Sequence, residues 1–298
     1  MRAVVVGNVT EDLVFSLPRL PREGETLIAS ARLADIGGKG LNQALLLARA
    51  GCAARLVAPV GEDEAARRAR NLAARELPDA ALVTVGAPTD QSIISVAEGG
   101  ENHIVSSAFA ADALTAEVAL AAMGPVGPGD AVMVQGNLSA ATTRAVLAAG
   151  REAGAWTIAN PSPIRWDWSA LLPLADLAIV NRTELADLAG ADASAAALRA
   201  RGARAVLLTL GAQGACLTDE TGETRAPAAP ATAVDTAGAG DTFAAAFVAA
   251  RLGGGEAGGA PRGAAAAAAL TVSRRGTLSA FPTREEMRDC LARAGASA

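Results

Sequence analysis

The chain opens on a short unbroken apolar run, Ala3 to Val6, closed by Gly7. Such a run predicts a strand buried on both faces, because a half-exposed strand would alternate apolar and polar positions. Runs of the same kind recur at Leu56 to Ala58, Ala131 to Val134, Trp156 to Ala159, Leu177 to Val180 and Ala205 to Thr209. Alanine-rich stretches of helical length lie between them, at Asn42 to Ala50, Ala141 to Ala153 and Arg182 to Ala189. This alternation predicts an α/β fold with a mostly parallel sheet covered on both faces. Two segments break the rhythm, Asp12 to Asp35 and Gln91 to Ser106. In the first, Leu27, Ala29, Ala31 and Leu33 alternate with Thr26, Ile28, Ser30 and Arg32, the period of a half-buried strand. In the second, Glu98-Gly99-Gly100-Glu101 reads as a hairpin tip. The two segments are expected to form a small separate sheet, the alternative being an edge extension of the main one. Gly253 to Gly259 and the Pro/Ala-rich stretch Ala226 to Ala233 read as connections.

Length and composition narrow the classes. A chain of 298 residues with 51% hydrophobic content can bury the core of one large α/β domain spanning residues 1–298. Its net charge of −5 offers no footprint for nucleic acid or an anionic membrane surface, so an anionic ligand requires a local positive site. The N-terminal valine run is too short for a signal peptide, and the alanine run Ala264 to Ala269 lies between Arg262 and Arg274. A cytoplasmic protein is expected. Cys52, Cys216 and Cys290 are odd in number and far apart, which suggests neither a disulfide framework nor a metal site. The single histidine, His103, stands beside Ile104 and Val105 without triad or zinc spacing, which argues against histidine-centred hydrolysis.

The strongest chemical signal is Asp235-Thr-Ala-Gly-Ala-Gly-Asp241-Thr-Phe, running into an alanine-rich helix, Thr242 to Leu252. Gly238 and Gly240 allow the backbone to turn its N–H groups towards one point, where the helix dipole adds partial positive charge for an anion. Asp241 falls in the first helical turn, placed to take the proton of a hydroxyl attacking a phosphoryl group held there. A plain capped helix start is the structural alternative. The motif is not a dinucleotide fingerprint, since Phe243 takes the third glycine position, and this makes a nicotinamide-dependent oxidoreductase a poor reading. Gly37-Gly38-Lys39-Gly40-Leu41-Asn42 is not a P-loop, yet its glycines permit close approach of a ligand to which Lys39 and Asn42 offer polar groups. Asn181 and Glu184 follow a strand end, where open α/β sheets place ligands. There Glu184 is a candidate to hold water around magnesium and Asn181 to bond a phosphate, while their spacing also fits a capping box. Thr209, Gly211 and Gly214 form a turn of the kind that passes beneath a nucleotide, a weak signal by itself.

GGKGLNQA, NRTE, TLGAQG and DTAGAGDTF, in this order, resemble the ribokinase branch of the PfkB carbohydrate kinase family. The resemblance extends from Gly7 to Gly276 and implies a three-layer α/β/α sandwich with a small β-sheet lid over 12–35 and 91–106. It implies ATP with Mg²⁺ as phosphoryl donor, Asp241 as general base, and Gly238, Ala239 and Gly240 as the anion hole. By the same resemblance Asp12, Gly38, Lys39 and Asn42 bind a sugar, while Asn181 and the stretch Thr209 to Gly214 bind the nucleotide. Asp235, Ala237, Thr271, Arg274 and Gly276 match positions that offer oxygens to K⁺. Three positions depart from the pattern. Thr10 stands for an asparagine that contacts the sugar, Asn137 for a glutamate with the same duty, and Ala280 for a hydroxyl at the cation site. Ribose itself is thereby in question, and a nucleoside kinase or a catalytically silent binding protein on this fold are the alternatives. A lid sheet apolar on both faces further suggests a homodimer through the lid.

Overall fold

The structure, a computed structural model, describes residues 1–98, 101–190, 193–255 and 259–295. Its strands are β1 (Arg2–Val6), β2 (Thr10–Leu17), β3 (Ala31–Gly37), β4 (Ala53–Val60), β5 (Ala81–Thr84), β6 (Asp90–Ala97) and β7 (Asn102–Ser106). They continue as β8 (Ala131–Gln135), β9 (Trp156–Asn160), β10 (Leu177–Asn181), β11 (Ala205–Thr209), β12 (Ala215–Asp219) and β13 (Gly222–Ala226). A nine-stranded sheet has the order β13-β12-β11-β10-β9-β8-β1-β4-β5. It is parallel from β5 to β11, and β12 and β13 add antiparallel to its far edge. The apolar runs seen in the sequence are the inner strands of this sheet.

Helices α1 (Lys39–Arg49), α2 (Glu64–Glu76), α3 (Phe109–Ala113), α4 (Ala116–Met123) and α5 (Ala140–Glu152) precede α6 (Arg182–Ala189), α7 (Ala195–Ala200), α8 (Ala239–Leu252), α9 (Ala260–Val272) and α10 (Arg284–Gly295). Val5, Met133 and Ile158 turn to one face, where they join a core with Leu45 of α1, Ala69 of α2 and Phe247 of α8. Val4, Val6, Val132 and Val134 turn to the other, with Val146 and Leu147 of α5 and Leu185 of α6. Both faces are dry, which is why these strands show no alternation. Among the described residues no helix is long and apolar enough to cross a membrane.

The two irregular segments do form a separate sheet, of order β3-β2-β6-β7, with β2 and β6 parallel and the outer pairs antiparallel. The edge-extension alternative is therefore excluded. One boundary differs from expectation: alternation begins at Leu27, but pairing begins only at Ala31, opposite Ser16. The reason is the partner, since β2 ends at Leu17 and is followed by Pro18, which has no N–H to continue a ladder. The antiparallel β6–β7 pair agrees with the expected hairpin, whose Gly99 and Gly100 lie outside the described residues, as do 256–258 of the loop between α8 and α9.

Candidate active site

The four neighbouring parallel strands β8 to β11 each end in a polar residue: Gln135 on β8, Asn160 on β9, Asn181 on β10 and Thr209 on β11. Gln135 lies beside Asn160 and Asn181 beside Thr209 in the strand register. Helices α1 and α8 start at this same edge. Gly40 lets α1 come close to β1, because a Cβ there would lie 2.6 Å from the Asn8 nitrogen and 2.8 Å from the Gly7 backbone.

Helix α8 begins one turn earlier than the alanine run suggests, at Ala239, with Gly238 as its N-cap in the left-handed region at φ 72°. No side chain caps it, in contrast to α2, α4, α5, α6 and α7, which Asp63, Thr115, Ser139, Asn181 and Ser194 cap. The N–H groups of Gly240 and Asp241 thus have no acceptor within the helix, while that of Ala239 makes a long 3.3 Å bond to the Thr236 carbonyl. An anion is the natural partner for such a helix start. Asp241 itself is buried. Its Oδ2 accepts from Asn42 Nδ2 at 2.9 Å, its Oδ1 from Gln43 Nε2 at 2.9 Å, and Lys39 Nζ lies 3.6 Å from Oδ1. Asp241 faces α1 and does not cap its own helix.

Asp12 approaches from the small sheet. Its carboxylate lies over Gly37, where a Cβ would be 2.1 Å from Oδ2, and Gly38 packs on the backbone of Asn8 and Thr10. Burial pushes the Asp12 carboxyl above the ordinary carboxylate range, against the bonds from Thr10 and Ser92 that lower it, and the charges of Asp35 and Asp241 add to the rise. Thr10 Oγ1 donates to Asp12 Oδ1 at 2.7 Å. Asn137 lies two residues beyond the end of β8, where its carbonyl accepts from Arg165 and its buried Oδ1 has no partner. Arg165 is held in turn by Asp112 at 2.7 Å.

A cleft of about 540 Å³ opens on the other side of the α8 start, lined by Thr209, Gly211, Gly214, Ala239, Gly240 and Phe243 and walled by small residues of α9 and the 228–233 loop. The expected nucleotide residues Thr209, Gly211 and Gly214 and the expected anion-hole residues Ala239 and Gly240 therefore share one cavity. Asn181 and Glu184 adjoin it but form a complete capping box, Asn181 Oδ1 accepting from the Glu184 N–H at 2.9 Å and Glu184 Oε2 from the Asn181 N–H at 2.9 Å. That leaves Glu184 Oε1 without a partner among the described residues.

Asp235 brackets two loops, accepting from the Ala237 N–H at 2.9 Å and the Gly276 N–H at 3.1 Å. Among the described residues it has no cationic side-chain partner. Arg274 is paired with Glu286 at 2.5 Å, and the Thr271 hydroxyl is 2.9 Å from that of Thr242 on α8. The side chains of Arg274 and Thr271 are thus engaged, which leaves main-chain oxygens to meet a ligand at this end, that of Thr271 already accepting from the Arg274 N–H at 3.1 Å. Sequence reasoning passed over Gln43, Gln135 and Asn160, all buried at the site. Their one signal was an amide at the end of an apolar run, or within the GGKGLNQA stretch itself.

A twisted parallel sheet with an uncapped, carboxylate-bearing helix start at its carboxyl edge, facing a smaller sheet, is the architecture of the ribokinase-type α/β sugar kinases. The profile of the pfkB family carbohydrate kinases matches residues 2–284. Among curated relatives, a ribokinase of Haemophilus influenzae is 29% identical over 95% of this chain and 95% of its own length. A deoxyribokinase of Salmonella typhi is 28% identical over 98% of this chain and 99% of its own. The solved structure of Arabidopsis thaliana ribokinase complexed with ribose and ATP superposes with a TM-score of 0.81 at 28% identity, covering 97% of this chain and 98% of that one. The chain belongs to the pfkB family of carbohydrate kinases, phosphotransferases that act on an alcohol group.

Proposed function

We propose that this protein transfers the γ-phosphoryl group of ATP to a hydroxymethyl oxygen of a small sugar or sugar-like alcohol, with Asp241 as general base. The observation that carries this is the buried Asp241 carboxylate, fixed by Asn42, Gln43 and Lys39 in the open first turn of α8. The attacking hydroxyl gives its proton to Asp241 as its oxygen bonds to the γ-phosphorus. The bond from that phosphorus to the bridging oxygen of ADP breaks, and the α8 start at Gly238, Ala239 and Gly240, with the open N–H groups of Gly240 and Asp241, faces the charge that gathers on the transferring oxygens. Asp12, Gly38, Lys39 and Asn42 hold the sugar, with Thr10 and Asn137 at its far end. Thr209, Gly211, Gly214 and Asn181 hold the nucleotide.

Mg²⁺ is an ion commonly carried on substrate phosphates with water completing its shell. Glu184, through its unengaged oxygen, is the side chain placed to orient such water. The unpaired Asp235 carboxylate, with the carbonyls of Ala237, Thr271, Arg274 and Gly276, fits a monovalent cation such as K⁺, whose charge would support the anion hole beside it. Residues 1–298 act as one kinase domain in this reading. The small sheet serves as a lid over the sugar, and a second copy covers its exposed apolar face.

Replacing Asp241 by Asn tests the assignment. ADP release in the presence of ATP, Mg²⁺ and a panel of sugars should fall by roughly 10²–10⁴-fold, the usual cost of a lost general base. Thermal unfolding and ATP binding should be kept. Turnover near that of the unsubstituted chain would end the assignment. The same assay in potassium and in a bulky organic-cation buffer checks the cation, which has no role if the two rates agree.

A further inference from the structure

Behind Asp241 lies a chain of buried amides. Gln43, Gln135 and Asn160 are all buried, on α1, β8 and β9. Gln43 Nε2 donates to Asp241 Oδ1 at 2.9 Å and to Asn160 Oδ1 at 3.0 Å, using both its hydrogens. Gln43 Oε1 accepts from Gln135 Nε2 at 2.6 Å, and Asn160 Nδ2 donates to the Ile179 carbonyl of β10 at 2.9 Å. A fixed acceptor sets the direction of the whole chain. The Ile179 carbonyl can only accept, so Asn160 turns its NH₂ towards it and its oxygen towards Gln43. Gln43 must then present its NH₂ group, and the second hydrogen of that nitrogen falls on Asp241. The room for this comes from Gly7, where a Cβ would lie 2.0 Å from Gln135 Oε1.

Packing alone does not call for this arrangement, since methionine or leucine would fill the place of Gln43 without needing partners for two polar atoms. We infer that Gln43 is a positioning residue for the base: anchored through Gln135 and Asn160 to the ends of β8 and β9, and through Asn160 to the middle of β10, it fixes the rotation of the Asp241 carboxylate towards the attacking hydroxyl. Asn42 and Lys39 touch the carboxylate from the ligand side, and Gln43 holds it from within the protein. The inference rests on Asp241 being the base.

Its test uses the full chain with Gln43→Glu, which keeps shape but sets an oxygen against Asp241, and Gln43→Met, which keeps volume and drops every bond. For each, kcat should fall by about 10²-fold, the cost of misplacing a reacting group by about 1 Å, with KM for sugar and ATP within about twofold. Gln135→Leu, remote from the ligand, should lower kcat in the same direction, and should add nothing when Gln43→Met is already present. If Gln43→Glu fails to fold, as read by thermal unfolding, Gln43→Met and Gln135→Leu decide by the same criteria. A folded Gln43 variant with unchanged kcat, a change confined to KM, or additive effects of Gln43 and Gln135 would overturn the inference. An inactive Asp241→Asn beside a fully active Gln43→Glu would overturn the positioning role while leaving the base in place; an active Asp241→Asn would remove the base itself.

Discussion

The carboxylate of Asp12 is drawn out of water by the fold before any ligand arrives, and burial, the largest influence on it, raises its pKa. A carboxyl whose pKa is raised on folding binds its proton more tightly in the folded chain. Its contribution to stability is present below the unfolded value of 3.8 and is lost as pH rises through the folded one. At neutral pH the charge on Asp12 therefore opposes folding, a cost that ligand hydroxyls donating to it would offset. Asp12→Asn should melt at a higher temperature than the unsubstituted protein at pH 7, with the gap closing on acidification, while kcat/KM for the sugar falls roughly 10- to 100-fold through loss of a charge-assisted bond. Thermal melts across pH, paired with steady-state kinetics, check both halves; a lower melting temperature at pH 7 would contradict the sign. In the proposed function Thr10 bears on which sugar binds. Its hydroxyl hydrogen is already given to Asp12, and Asn137 offers a buried oxygen without a partner. A pocket built on hydrogen bonds rejects ligands that leave such groups unmatched, at about 1–3 kcal/mol each. D-Ribose should accordingly be a poorer substrate than some other sugar, polyol or nucleoside in the panel, an expectation that a specificity constant highest for D-ribose would refute.

The helices with Ser, Thr, Asp or Asn caps close their own ends, and Asn8 closes that of α1 by accepting from the Gly40 and Leu41 N–H groups, whereas α8 starts on glycine and stays open. Gly238 cannot be exchanged cheaply: its φ of 72° is left-handed, and a Cβ would lie 2.5 Å from the Phe281 ring. Gly238→Ala should cost about 1–2 kcal/mol in strain and lower kcat more than any loss of folded protein accounts for, because the N–H groups of the proposed anion hole move with it. Equal kcat per folded molecule would show that the turn is structural only. Much at this scale was legible from sequence, because strands dry on both faces read as unbroken apolar runs and glycine-rich helix starts stand out locally. The Asn181–Glu184 capping box was equally visible, since both its bonds are made within four residues. The amide chain through Gln43 was not, because it joins residues 117 and 198 positions away in sequence. Nothing in a single glutamine after Asn42 announces that Gln135, Asn160 and Asp241 will converge on it. The Leu27 start of β3 misled for a similar reason, as alternation describes one strand and pairing needs two.

At the scale of the whole molecule, the small sheet presents a problem that one chain leaves open. Arg68 of α2 ties it to the body, bonding Glu11 at 2.8 Å and the Ala34 carbonyl at 2.8 Å. The register aligns Asp35, Asp12, Ser92 and Ser106 across the sheet, and two residues further along the same face it aligns Leu33, Val14, Ile94 and Ile104. The face that carries Asp12 thus continues as an apolar row. Leu33 and Ile104, at its two ends, are 51% and 57% exposed. A row of this length on water is the usual mark of an interface, and a second copy of the same sheet, packed about a two-fold axis, would meet it with the same four residues. A partner there would also press on the Asp12 side of the lid, so assembly and sugar binding should be coupled. Sedimentation should show a dimer for the unsubstituted chain and a monomer for the Leu33→Asp, Ile104→Asp double variant. The double variant should fold, because both side chains lie half or more in solvent. Its KM for sugar should rise several-fold while KM for ATP, whose proposed cleft lies on the far side of α8, holds steady. A monomeric unsubstituted chain, or a double variant that remains dimeric, would rule out this face as the contact, and a monomer with unchanged sugar KM would show that the lid closes without help from its neighbour.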